Sequence, residues 1–194
     1  MPTTGQALTT YLANALGNEV LRNVAFAQVA TVYSGLIAAP KWAASTAYAL
    51  NAYVLPTTRN GRIYRATVAG TSAASEPTWP TTDGGTVVDG GVTWTEQTTA
   101  MEGGTVSEVS GNGYARQTMA FNAPSGVPSV FANTSNVDFP VATPSGWNTV
   151  AGFVLADALS AGNILLYGMF TAYNDILAGN QFRIAAGALT VTWD

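Results

Sequence analysis

The sequence predicts a mainly β protein: a β-sandwich, jelly-roll-like, with an N-terminal helix and a small antiparallel β-module inserted after its first strand. Three observations predict it. Residues 100–194 break into short runs of strand formers, "GYARQTMAFN", "NVDFP", "TVAGFVLADA", "NILLYGMFTAY", "QFRIAA" and "ALTVTW", separated by Gly, Pro, Asn and Ser. One more strand pattern, "ATVYSGLIAAP", lies far upstream and stops at Pro40. Between the two, residues 41–99 change texture to aromatic residues set among turn signals. The expected organisation is therefore a sandwich of residues 1–40 and 100–194 carrying an insert of residues 41–99.

The N-terminal helix is expected over about residues 4–16. Thr3 and Gln6 stand at capping-box spacing, and Ala7, Leu8, Tyr11, Leu12, Ala15 and Leu16 recur at intervals of three and four, with Gly17 placed to end the helix. Its stripe of Leu8, Tyr11, Leu12 and Leu16 is expected to pack on the sandwich. In the insert, "TTRNGRIYRATV" holds Asn60-Gly61, the strongest short hairpin signal, and "DGGTVVDGG" supplies two more Gly-rich turns before the strand "VTWTE". A unit of about 60 residues buries little surface. Trp42, Tyr48, Tyr64, Trp79 and Trp94 are expected to make its core between them.

Composition limits function. Charged residues are 9 % of the 194-residue chain, against roughly 25 % in an average globular domain. So sparse a charge is easier to understand on a surface largely covered by neighbours. A net charge of −4 and a pI near 4.6 give no basic field for phosphates, which argues against nucleic acid and anionic membranes. No run is long and apolar enough for membrane insertion. The opening "MPTTGQALTTYLANALGNEV" is polar and periodic, unlike a secretory leader. With neither His nor Cys, the chain has no Ser-His or Cys-His nucleophile pair, no zinc site of the N/S type and no disulfide. No catalytic, cofactor-binding or metal site is expected.

The candidate contacts for a glycan or a partner are Trp79, Trp94, Tyr64, Arg59, Arg62, Asp83 and Asp89. An indole face suits the C–H face of a pyranose, and Asp83, Asp89 or Asn60 would bind its hydroxyls. Equally, both indoles are the largest hydrophobes of a module short of them. Trp94 lies in an alternating strand and is expected inward; Trp79, between Thr78 and Pro80, is the better candidate for exposure. Arg59, Arg62 and Arg65 fall within seven residues of one another. They suit an anionic polysaccharide, a neighbour's carboxylate, or a solvated hairpin whose charges protect an edge strand. Glycoside hydrolysis needs two acids held across a cleft, and no spacing among Glu76, Asp83, Asp89, Glu96, Glu102 and Glu108 picks out a pair. Arg116, in "GYARQ", is expected to pair with Asp138 or Asp157.

The outer regions, about residues 5–40 and 103–194, resemble a family of small tailed-bacteriophage structural proteins of tail-fibre or decoration-like type. The resemblance is carried by "TVYSGLIAAP", "SEVSGNGYARQTMAF", "VDFP", "WNTVAGFVLADA", "NILLYGMFTA" and "FRIAAGALTVTWD", in that order. Members run straight from the first strand to the "EVSG" turn, whereas here some 60 residues intervene. That insert, with W-x-x-S-T-x-Y, N-G-x-x-Y and E-P-x-W-P, resembles a module repeated in phage tail and fibre proteins and, more distantly, a chitin-binding type of carbohydrate module. The resemblance implies a non-enzymatic virion component, assembled in the host cytoplasm, with other capsid or tail proteins as partners. It also implies a homo-oligomer, a trimer by analogy, and host-surface polysaccharide as a further partner.

Overall fold

The computed structural model describes residues 3–193; positions 1, 2 and 194 of the expected sandwich ranges lie outside them. The elements in chain order are β1 (Thr3–Leu8), α1 (Thr10–Arg22), β2 (Tyr33–Ala39), β3 (Ala47–Tyr48), β4 (Tyr53–Val54), β5 (Tyr64–Val68), β6 (Gly70–Thr71), β7 (Thr86–Asp89) and β8 (Val92–Glu96). There follow α2 (Thr98–Glu102), β9 (Gln117–Thr118), β10 (Ser129–Ala132), β11 (Val137–Val141), β12 (Asn148–Ala156), β13 (Ile164–Ile176), β14 (Gln181–Ile184) and β15 (Thr190–Trp193). The protein is mainly β with an N-terminal helix, and its strand ladders are antiparallel.

One large sheet, in the order β1-β13-β12-β2-β9, organises the molecule. Its two central strands read as near-continuous apolar runs because both faces are covered. Residues alternate between those faces. Leu36, Ala38, Phe153, Leu155, Leu166 and Phe170 point into a core closed by Val137 and Phe139 of β11, Phe182 and Ile184 of β14, and Val191 of β15. This second layer of the sandwich is split into two ladders, β10-β15 and β11-β14. Ile37, Ala39, Val154, Ala156, Tyr167 and Met169 point the other way, onto Leu55, Ile63 and Met101. The outer face of the sheet is thus roofed by residues from the middle of the chain.

Residues 41–99 leave and return at adjacent points of β2. The chain departs at Pro40 and comes back beside Ala38, whose N–H donates to the Ser107 carbonyl at 3.0 Å, while Val109 N–H donates to Leu36 O at 2.9 Å. Between those points it builds the four-stranded sheet β4-β5-β8-β7 and the β3-β6 ladder. Gly90-Gly91 closes a tight turn, with Asp89 opposite Val92 and Gly90 at φ +60°. Asn60-Gly61 does not make a two-residue hairpin: β4 and β5 are joined by the longer loop 55–63, in which Asn60 Oδ1 accepts from Arg62 N and Gly61 adopts φ +79°. The local turn chemistry is as expected, but the docked residues Leu55 and Ile63 draw the strands apart.

The N-terminus departs from the expected helix over residues 4–16. Thr3–Leu8 form β1, paired along the edge of β13 from Thr3 opposite Phe170 to Leu8 opposite Leu166. A free edge of ladder donors and acceptors outweighs the helical periodicity, a tertiary override of a weak local preference. The capping residue is Thr9, whose hydroxyl accepts from Leu12 N and donates to the Ile164 carbonyl. Gly17 does not end α1; a Cβ there would meet open space, and the left-handed stop is taken by Asn23 at φ 54°. Leu8 packs on the sandwich core and Leu12 and Leu16 are half-buried, but Tyr11 is exposed.

Candidate functional site

The module's core answers where the indoles lie. Trp94 alternates inward on β8 and is fully buried with Tyr64, Val54, Ala66 and Val92, beside Trp42. Trp79 is half-buried, its ring 4.4 Å from that of Tyr64 and 6.0 Å from that of Trp94, and its Nε1–H donates to Glu76 Oε1 at 2.7 Å. Tyr48 meets Trp94 edge-on at 4.9 Å. The buried Asp89 carboxylate joins the cluster: Oδ2 accepts from Trp42 Nε1 at 2.7 Å and Trp94 Nε1 at 2.9 Å, and Oδ1 from Ala73 N at 2.8 Å. Trp94 thus faces inward as its strand alternation predicts, and Tyr64 and Asp89, also candidates for a ligand contact, are buried with it. None of the three presents accessible surface for one, because each is consumed in a core short of aliphatic side chains.

The three arginines go to separate places. Arg59 Nε donates to the Phe170 carbonyl on β13 at 2.6 Å, a link from the module to the large sheet. Arg62 Nη1 lies 2.6 Å from Asp83 Oδ1, 3.1 Å from Glu96 Oε1 and 3.2 Å from Thr98 Oγ1. Glu96 is buried and also accepts from Gly84 N, Thr98 N and the Thr98 hydroxyl. Arg65 lies on β5, opposite Tyr53 and Thr95. Arg116 pairs with neither Asp138 nor Asp157. It grips Glu108 in a fork, Nε to Oε1 at 2.8 Å and Nη2 to Oε2 at 2.7 Å, and its Nη1 donates to the carbonyls of Ala158 and Ala161. Glu108 arrives with the chain returning to β2. Asp138 instead holds Arg183, and Asp157 accepts from Asn163.

One recess brings together candidate contact residues and the large sheet. A cleft of about 400 Å³ lies where the module meets the sheet, lined from the module side by Asn60, Gly61, Arg62, Asp83, Thr98, Met101 and Glu102. Ala7 of β1 and Tyr167 and Met169 of β13 complete it. Burial pushes the Tyr167 phenol up to about 12, with the carboxylates of Glu102, Asp83 and Glu96 adding to the shift, so it stays neutral at physiological pH. Of the residues singled out from the sequence, Asn60, Arg62, Asp83 and Glu102 line this cleft; Trp79, Trp94, Tyr64, Arg59 and Asp89 do not. Met101, Met169 and Tyr167 carry no signal in the sequence, since each reads as an ordinary core residue.

A family model described as podophage GP4 fiber I protein gp80 matches residues 92–192. No curated protein matches the chain.

Proposed function

The chain belongs to the podophage GP4 fiber I protein gp80 family, and from that membership we propose that it is a non-enzymatic structural protein of a tailed-phage virion, a fibre or decoration element. In this reading it is assembled in the host cytoplasm, packs on other virion subunits through the sandwich and turns the residue 41–99 module outward. It is a homo-oligomer, a trimer by the earlier resemblance. The observation that carries the packing is α1. This helix of 13 residues has no buried side chain, and Val20 and Leu21 are 79 % and 83 % exposed, continued by Val24 at 49 %. An amphipathic helix that half-buries Leu12 and Leu16 but leaves Val20 and Leu21 of its last turn in water presents a contact surface for a subunit.

The test is sedimentation of the purified full chain beside a Val20→Glu, Leu21→Glu double variant, together with incorporation of each into particles. The wild type is expected to sediment as an oligomer and to incorporate, and the double variant to be a folded monomer that does not. A monomeric wild type, with the double variant entering particles as efficiently, would sink the reading. A second reading, attachment to a host-surface polysaccharide, draws its support from the cleft between module and sheet and not from the indoles.

A further inference from the structure

We propose that the cleft between the module and the large sheet is a binding site for one or two rings of a neutral saccharide; this rests on the attachment reading. Arg62 is the one cation of the lining, and its guanidinium is already engaged by Asp83, the buried Glu96 and Thr98. Asp83 and Glu102 leave the recess with an excess of negative charge. A phosphate, sulfate or uronate ligand would meet two carboxylates and a single guanidinium already paired with Asp83 and Glu96.

Hydrogen-bonding capacity points to a ligand rich in hydroxyl donors. Glu102 is half-buried, and its carboxylate has no hydrogen-bond or ion-pair partner among the described residues. Asp83 spends only Oδ1 on Arg62. Carboxylate oxygens with spare lone pairs accept from sugar hydroxyls, and the Asn60 amide, with one N–H on the Tyr64 hydroxyl, keeps a second N–H to donate, whereas the Thr98 hydroxyl proton is spent on Glu96. The apolar part of the lining is half-buried Ala7 over a floor of Met101, Met169 and Tyr167, each no more than 3 % exposed, so the C–H face of a sugar would rest on their edges and not stack on an open ring. Among the described residues no cluster of three acidic side chains is present to hold a metal ion. The volume of about 400 Å³ lies within the range of ~300–1,000 Å³ common for small-ligand pockets, which favour junctions between units.

The test uses the full chain labelled with ¹³C at its methionine methyls. Met101 and Met169 line the cleft, whereas Met119 sits in the sandwich core and serves as the internal control. Maltose, lactose, cellobiose and N,N′-diacetylchitobiose are titrated separately, with glucuronate, glucosamine and putrescine as charged comparators. At least one neutral disaccharide is expected to shift Met101 and Met169 together and saturably in the millimolar range, leaving Met119 in place. Glu102→Ala is expected to weaken that response about tenfold, with Met119 again unchanged as the sign of an intact fold. Such a single site is adequate when many copies act together.

Three results would overturn the assignment. The neutral sugars leave both cleft methyls unmoved, or putrescine and glucosamine alone move them, or the Glu102→Ala variant binds as the wild type does. Binding of the full chain to purified host-envelope polysaccharide separates the failures. If the wild type and Glu102→Ala are retained equally, attachment stands and the cleft is the wrong place. If neither is retained, the attachment reading falls with it.

Discussion

Two of the cores of this protein are built in different proportions. Between the large sheet and its second layer, aliphatic side chains fill most of the space with Phe153, Phe170, Phe182 and Phe139, and Trp147 and Tyr114 are its polar-tipped rings. In the module, indole and phenol rings surround a buried carboxylate that satisfies two indole N–H groups and one backbone amide. A sandwich of many strands has area enough to be stabilised by burial. A small unit reaches the same end with few large rings, and large rings bring N–H and O–H groups that must be partnered. Polar wiring is thus the condition on which the module's aromatic core exists.

The comparison can be broken at either core. Phe153→Ala should have the largest effect, about 3–5 kcal/mol, because it opens a cavity beneath the sheet on which the module also sits. Urea unfolding should show both regions losing structure at a lower midpoint; an unaffected midpoint would mean that this core is not the one that sets stability. Asp89→Asn is nearly isosteric, yet its amide must turn an NH₂ toward either the indole N–H pair or the Ala73 N–H. A loss of about 2–3 kcal/mol is expected from the unsatisfied buried donors. Hydrogen exchange should accelerate within residues 41–99 while the amides of β12 and β13 keep their protection; equal acceleration in both would dissolve the distinction.

Alkaline pH sharpens it further. Burial raises the Tyr64 phenol from 10.0 to about 12. A folded pKa above the unfolded one contributes stability that is fully present below pH 10 and is lost as pH rises toward 12, about tenfold per pH unit. Tyr64→Phe should flatten that limb in module hydrogen exchange, and a limb of unchanged slope would remove Tyr64 as its cause. Tyr114, in the sandwich and hydrogen-bonded between Leu36 N and Glu108, is raised further by burial and by the Glu108 charge. Its absorbance change should therefore come at higher pH than that of Tyr64. The smallest effect belongs to the surface of α1: Leu21→Ser should change unfolding free energy by no more than about 0.5 kcal/mol. A loss above 1 kcal/mol in the isolated chain would mean that the helix is already packed.

Much of the fold was legible because it follows from periodicity and punctuation. The strands of residues 100–194, the turn at Gly90-Gly91 and the inward alternation of Trp94 all rest on local rules that tertiary context left intact. The N-terminus was misread for the opposite reason: Thr3–Leu8 has helical spacing but meets the open edge of β13. Arg116 was misassigned because Glu108, eight residues upstream, comes alongside only when the returning chain pairs with β2. The candidate contacts were half legible, since Arg62 and Asp83 do reach a common recess, whereas the chosen aromatics serve the core.

The β character, the change of texture at residues 41–99 and the shortage of charge are properties of composition and short-range order, and are present in the chain before it folds. Which face of the large sheet the module covers, which carboxylates are spent on buried donors, and where a cleft remains are set by packing. Those outcomes depend on contacts between residues as far apart as Arg59 and Phe170. Side-chain chemistry supplies the available partners, but chain folding chooses among them, because a buried donor must take whichever acceptor the packing brings within reach.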